Sequence, residues 1–217
     1  MYYYKKLNCT DLPKLLHLVD NLFRENPCWA PVANWHHILI EKAPKVWMMP
    51  VLKQNISIAA VDENTGEYVG MLLLHFEDEN VPTETSQVWS NFAKAVGENA
   101  SIAFNIAGTL FRDLDIYKHY NTTRDIGFSF LSVDKNHARK GIAHGLVKEG
   151  LKVAAQVKAG VASTMTTSVF SEKIFLKEGF QVLREMKYQN FEYKGEFPYT
   201  EEMIGPHERC VVLCKPL

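Results

Sequence analysis

The residues from Phe128 to Gly150, FSFLSVDKNHARKGIAHGLVKEG, constrain the fold more than any other stretch of the chain. Phe128, Phe130, Leu131 and Val133 form a β-prone run enriched in aromatics. Asp134 to Lys140 is polar and carries Lys135, His137, Arg139 and Lys140. Gly141 then opens a segment whose apolar residues, Ile142, Leu146, Leu151, Val153, Ala154 and Val157, approximate one helical face. The pattern predicts strand, short polar loop and amphipathic helix. The first turn of a helix leaves backbone N–H groups without partners, and the helix dipole adds partial positive charge there. A glycine lets those amides approach a phosphate closely. The junction is therefore a candidate diphosphate cradle. An ordinary helix start behind a solvated basic loop has the same pattern.

The rest of the chain is consistent with a globular protein. Its 217 residues fit one large domain or two small ones. No linker, repeat or low-complexity tract divides them, so one domain over 1–217 is expected. A net charge of −1 gives no global electrostatic case for nucleic acid. The most apolar stretch, Ile102 to Phe111, is interrupted by Asn105 and too short for a bilayer span. Met1 is followed by three tyrosines and two lysines rather than an apolar core. Cys9, Cys28, Cys210 and Cys214 show no zinc-finger spacing. Reduced thiols in a cytoplasmic protein are expected, with a monomer as the favoured state and no metal.

In chain order, Tyr2 to Leu7 reads as a strand. Thr10 is a candidate N-cap for a helix whose face is Leu12, Leu15, Leu16, Val19, Leu22 and Phe23. That helix should end at Glu25-Asn26-Pro27. Asn34 to Lys42 suggests a second helix, stopped by Pro44. Ile56, Ile58 and Ala60 alternate as a strand, Asn64-Thr65-Gly66 is a turn, and Tyr68 to Phe76 is a nearly all-apolar partner strand. Thr83 to Tyr120 breaks this rhythm. Val88, Trp89, Phe92 and Val96, then Ile102, Ile106, Leu110 and Leu114, predict two inserted helices whose faces pack the core. After the central unit come a strand at Val161 to Thr167, a short helix from Ser168 to Glu178 closed by Gly179, and strands at Gln181 to Tyr188 and Arg209 to Cys214.

The element order is thus β-α-α-β-β-(insert)-β-α-β-α-β-β. With the hexad Ala138-Arg139-Lys140-Gly141-Ile142-Ala143, it resembles the GCN5-related N-acetyltransferase superfamily, whose acetyl-CoA loop is Arg/Gln-x-x-Gly-x-Gly/Ala. Gly141 and Ala143 match; Ala138 stands where Arg or Gln is usual, with Arg139 beside it. Lys177-Glu178-Gly179-Phe180 is similar to that family's K-L-G-F. The resemblance implies an α/β (α+β) fold: a mixed, mostly antiparallel sheet with splayed middle strands and helices on both faces. The inserted helices at about 83–120, and Phe23-Arg24-Glu25-Asn26-Pro27, resemble the insect and nematode arylalkylamine N-acetyltransferase group. Its motif there is Phe-x-Asp-Glu-Pro. Asn26 occupies the position of that group's general base, and Glu25 stands one residue earlier.

What the resemblance implies for function is transfer of an acetyl group from acetyl-CoA, as co-substrate, to a small primary amine. Leu131, Ser132 and Val133 would present the acyl arm along a strand edge, with backbone N–H groups polarising the carbonyl. Arg139, Lys140, Gly141, Ile142 and Ala143 would hold the diphosphate. A free alkylamine has a pKa of about 10, by analogy with lysine, so a base must take a proton. Glu25 is the first candidate; a solvated carboxylate at a helix end is the other reading. His75, His137 and His144 are further candidates for the base, each also readable as a surface or packing residue. His207 and the His36-His37 pair lie outside the motifs. Phe175 occupies the position where many members carry an acidic tyrosine. Thr167 and Ser171 match serines of the arylalkylamine group, and Ser171 is a candidate for thiolate protonation and for contact with the co-substrate. Ser171 is equally a helix-capping residue by type. Trp29, Trp35, Trp47, Phe197 and Tyr199 are candidates for lining an amine pocket or simply for packing. The alternatives are a polyamine or protein N-acetyltransferase, a degenerate acyl-CoA binder, and a plain interaction domain.

Overall fold

The structure is a computed structural model, and it describes residues 1–81, 87–97 and 101–217. Among the described residues, seven strands form one sheet in the order β1-β2-β3-β4-β5-β7-β6. They are β1 (Tyr2–Lys6), β2 (Ile58–Asp62), β3 (Tyr68–Asp78), β4 (Arg124–Val133), β5 (Val161–Thr166), β6 (Gln181–Lys187) and β7 (Arg209–Pro216). Only the β4–β5 pair is parallel; the other neighbours are antiparallel.

Helix α1 (Leu12–Glu25) lies on one face, with Leu15, Leu18, Val19, Leu22 and Phe23 buried. Leu18 takes the place expected of Leu16, which is exposed. The start also differs from expectation. Asn8 and Asp11 form a reciprocal capping box around a 3-10 turn, and Thr10 donates both its N–H and its hydroxyl to Asn8 Oδ1 rather than capping the helix itself. A second 3-10 segment (Pro27–Trp35) leads to α2 (His36–Ala43). Pro44 does not stop this helix: the chain continues through a π-helical turn (Pro44–Met48) into α3 (Met49–Leu52). The wider turn accommodates the missing N–H and the ring of Pro44, where a regular α-turn would clash.

The insertion holds three helices among the described residues rather than two: α4 (Val88–Val96), α5 (Ser101–Phe111) and α6 (Ile116–Tyr120). The reading that it begins at Thr83 lies outside the described residues. These helices and α1 cover a core that includes Met71, Leu73, Phe92 and Phe130. The opposite face carries α7 (Ile142–Gln156) and α8 (Val169–Lys177), packed over Leu72, Leu74, Ile126 and Phe128. A last short helix, α9 (Glu201–Ile204), sits in the loop before β7.

One irregularity in β4 organises everything that follows. Leu73 pairs with Phe130 and Leu74 with Phe128, so Ser129 is an extra residue in the ladder. Side chains alternate along a strand, and a bulge resets that alternation. Before Ser129, Ile126 and Phe128 face α7; after it, Phe130 faces α1 and α4, while Leu131 and Val133 turn to the α7 side.

Candidate active site

Strands β4 and β5 pair only at Asp125↔Val161, Ile126↔Ala162 and Gly127↔Ser163. A last link runs from Thr164 Oγ1 to the Phe128 carbonyl at 2.8 Å. Beyond it β4 pairs only with β3 and β5 only with β7, so the two strands part. The splay leaves the edge of β4 over Leu131, Ser132 and Val133 without a strand partner. The Ser132 hydroxyl donates to the Leu18 carbonyl at 2.9 Å, tying this edge to α1.

Just beyond that edge the chain passes through a 3-10 turn (Lys135–His137) capped by Asp134. Arg139 and Gly141 both adopt left-handed backbone, with φ of 61° and 77°. Asp134 and Lys135 carbonyls take the N–H groups of His137 and Ala138, but none of the described hydrogen bonds takes those of Arg139 through His144. Arg139, Lys140 and Gly141 are exposed, and nothing lies within 4 Å of where a Gly141 side chain would begin. Ile142 is buried beneath α7 and Ala143 is half-buried. This is an open, donor-rich helix start with two cations beside it, as the sequence pattern predicts.

On the α1 side of the sheet lies a cavity of about 1200 Å³. Leu131, Ser132, Val133, Glu25, Thr167 and Ser171 all line it. The structure therefore brings together the candidate base, the candidate acid and the strand edge expected to present the acyl arm. The loop from Arg139 to Ala143 is not part of this lining and stands outside it at the start of α7. Glu25 is the exposed last residue of α1. A carboxylate at that end is disfavoured by the helix dipole, so helix stability does not explain it. Asn26 is committed elsewhere: its side chain accepts the Cys28 N–H at 3.0 Å.

Ser168, not Ser171, caps α8 by accepting the Ser171 N–H. The Ser171 hydroxyl sits 3.0 Å from both Ser168 Oγ and the Ser168 carbonyl. The Thr167 carbonyl accepts the Tyr188 hydroxyl at 2.7 Å. Phe175 is buried against Phe128 and Phe180.

The histidines separate clearly. His137 is bound by the Tyr2 hydroxyl at 3.0 Å and His144 pairs with Glu178, both away from the cavity. His75 lines the cavity, its Nδ1 2.5 Å from Ser129 Oγ. Burial pulls its imidazole down to about 4, so it is neutral near neutrality. Its ring lies over Gly127, where a β-carbon would fall 2.0 Å from it; only glycine permits this contact. His207, from the loop before β7, also lines the cavity and accepts the Val169 N–H at 3.2 Å.

Of the aromatics expected to line a pocket, only Trp29 does so. Trp47 is fully buried in the core, Trp35 stacks on His37, Phe197 is exposed, and Tyr199 is buried with its hydroxyl on the Cys28 carbonyl. The walls are instead Trp89, Phe104, Phe111 and Phe130. Trp89, Phe104 and Phe111 belong to the insertion, which shapes the cavity as well as packing the core.

Two further lining residues escaped the sequence reading altogether. Asp125 and Glu77 face each other directly across β4 and β3. The Ser163 hydroxyl donates to Asp125 Oδ2 at 2.7 Å, while Oδ1 has no partner. Burial, helped by the charge of Glu77, pushes the Asp125 carboxyl up to about 7. Burial raises Glu77 as well. The one available signal was the alternation of Asp125, Gly127 and Ser129 ahead of Phe130, hidden because the strand was read as starting at Phe128.

No family model and no curated protein matches this sequence. Solved structures do match the fold. Arylalkylamine N-acetyltransferase 2 from Aedes aegypti aligns over 99% of this chain and 98% of its own, at 21% identity and a TM-score of 0.82. A Drosophila melanogaster polyamine N-acetyltransferase, an enzyme that forms N-acetylagmatine, aligns over the whole of both chains at 15% identity and a TM-score of 0.73. The C-terminal condensation domain of Ebony, solved with β-alanyl-dopamine, covers 100% of this chain and 99% of its own at 14% identity and a TM-score of 0.75. The chain has the GCN5-related N-acetyltransferase fold.

Proposed function

We propose that this chain transfers the acetyl group of acetyl-CoA to the primary amine of a small molecule with an apolar, arylalkylamine-like body. The observation that carries the reading is the gap between β4 and β5, whose two edges both line the 1200 Å³ cavity while the open start of α7 lies beside it. The diphosphate would rest on the N–H groups from Arg139 to Ala143, with the Arg139 and Lys140 cations nearby. The thioester would lie along Leu131 to Val133, where N–H groups stabilise the developing oxyanion. The amine would sit between Trp29, Trp89, Phe104 and Phe130, matched to their rings by stacking and burial.

In a ternary complex, Glu25 takes one proton from the ammonium, directly or through water. The freed nitrogen attacks the thioester carbonyl, and a C–N bond forms. The C–S bond then breaks, its electron pair leaving on sulfur. The proton that the attacking nitrogen must shed reaches that sulfur through the Ser171 hydroxyl, which gives up one proton as it takes the other and ends unchanged; Ser168 holds Ser171 at the start of α8. Holding both substrates in one cleft supplies much of the acceleration.

Thermal stabilisation by acetyl-CoA, followed by thiol release with phenethylamine, dopamine, spermidine and a peptide, tests the reading. Stabilisation without turnover on any amine would leave an acyl-CoA binder, a reading that Ala138, Asn26 and Phe175 favour by departing from the family pattern. Turnover on the peptide alone would move the substrate class to proteins. Glu25→Ala should lower kcat by about 100-fold or more with little change in acetyl-CoA affinity. Unchanged turnover would take the base assignment away from Glu25.

A further inference from the structure

The cavity is lined on one side of the charge balance only. Glu25, Glu77, Glu79, Asp113, Asp115 and Asp125 all contribute to its wall, and among the described residues no lysine or arginine does. Asp115 is spent as the N-cap of α6, on the Lys118 N–H. Glu77 and Asp125 cap no helix, and His75, whose Nε2 lies 4.0 Å from Glu77, is held neutral by burial. The two acids are direct cross-strand partners, which places their β-carbons about 5 Å apart on one face, an arrangement that is repulsive for like charges.

The neighbouring cation does not relieve it. Arg124 belongs to the opposite face of β4, 3.5 Å from Asp78 and over the Phe76 ring. Asp125 is about nine-tenths buried, lines the cavity and keeps Oδ1 without a partner. A buried, unpaired carboxylate oxygen beside a second acid costs folding free energy unless a cation arrives. Among the described residues, no three acidic, histidine or cysteine groups are placed to hold a metal ion. Along β4, Asp125 stands about 13 Å from Ser129, at about 3.3 Å per residue, on the side of the bulge away from the acyl edge. Ala107, Phe111, Leu114 and Ile116 supply apolar wall to the same cavity.

We propose that Glu77 and Asp125 form a subsite for a second cationic group on the amine substrate, so that this chain prefers amines whose apolar body carries a distal ammonium or guanidinium over monoamines of the same length. The subsite rests on the acetyl-transfer reading for the role of the near amine. The near nitrogen is acetylated at the acyl edge; the far cation remains charged and bridges the two carboxylates. Tyr117 caps this end, and the charges of Asp125, Glu77 and Glu79, after burial, hold its hydroxyl protonated and able to donate.

Isothermal titration of the full chain, with and without coenzyme A, with hexylamine, hexamethylenediamine and spermidine tests the subsite apart from catalysis. One of the two dications should bind at least about tenfold tighter than hexylamine, as charge-assisted pairing predicts. Glu77→Gln and Asp125→Asn should each shrink that ratio, whereas Asp20→Asn on the outer face of α1 should leave it. Equal affinities, or no binding of any of the three, would overturn the subsite, and the wild-type comparison decides this even if a variant fails to fold. Thiol release then separates the two readings: a bound dication without turnover removes the transfer reaction and leaves the subsite, whereas turnover that ignores the second charge removes the subsite and leaves the reaction.

Discussion

The start of α7 and the far end of the cavity are both polar sites reached from strand β4, yet they differ in every physical respect. The first is exposed, cationic and made of consecutive residues, Arg139 to Ala143, with unpaired donors. The second is buried, anionic and gathered from β3, β4, β5 and α6, with an unpaired acceptor at Asp125. The first costs the fold little, because water can satisfy exposed amides. The second carries an electrostatic cost that grows as its acids ionise and that a bound cation would offset. A site of the first kind is compatible with many phosphates and is selected by shape; one of the second kind selects by charge.

Gly141→Asp should break the contrast most severely, by moving negative charge into the cationic end. Repulsion of the diphosphate and the loss of a glycine at φ 77° should together weaken acetyl-CoA binding by about 100-fold, or about 2.7 kcal/mol. Titration calorimetry reads this directly, and an unchanged affinity would remove the diphosphate from this loop.

Asp125→Asn should sharpen the contrast from the other end. Its carboxyl stands at about 7 in the fold against 3.8 ordinarily. Between those values the unfolded chain has released the proton and the folded chain retains it. Stability therefore falls as pH rises through this window and levels off above it. The groups facing Asp125 are Glu77 and His75 from β3, Ser163 from β5, Tyr117 from α6 and Cys214 from β7. Asparagine cannot ionise, so the variant should be the more stable protein by about 4 kcal/mol at about pH 8 and show little gain at about pH 4. Equal melting differences at both pH values would refute this. A substitution that stabilises the fold while weakening dication binding would mark the site as functional strain.

Ser171→Ala should have the smallest effect. Ser168 retains its capping bond to the Ser171 N–H, so the fold should tolerate the change, and kcat should fall about threefold to tenfold through loss of one hydroxyl donor. A wild-type rate would confine Ser171 to local packing.

What could be read from the residues follows the same division. The strand–loop–helix unit was legible because its information is local: Phe128 to Val133, the basic loop and the Gly141 start are contiguous. The element order was legible from periodicity, since β and α segments bury faces with different repeats. Pro44 was misread because a π-helical turn absorbs it. The cap of α1 was misread because Asn8 and Asp11 cooperate across three residues while Thr10 merely looks like a cap. The aromatic walls were largely misassigned, since Trp47 and Trp89 differ only in which side of their cluster meets the cavity. Glu77 and Asp125 are 48 positions apart, and their meeting depends on the β3–β4 register set by the bulge. His207 reaches the cavity through a loop that carries no periodic signal.

The extra residue at Ser129 lets a single strand address two compartments with independent vocabularies. Positions 125 and 127 speak to the far end of the cavity, whereas 131 and 133 turn their side chains to α7 while their backbone borders the gap. The cavity lining can therefore change by substitution upstream without altering the backbone edge downstream, and deletion of that one residue would exchange the inner and outer aspects of every position on one side of it.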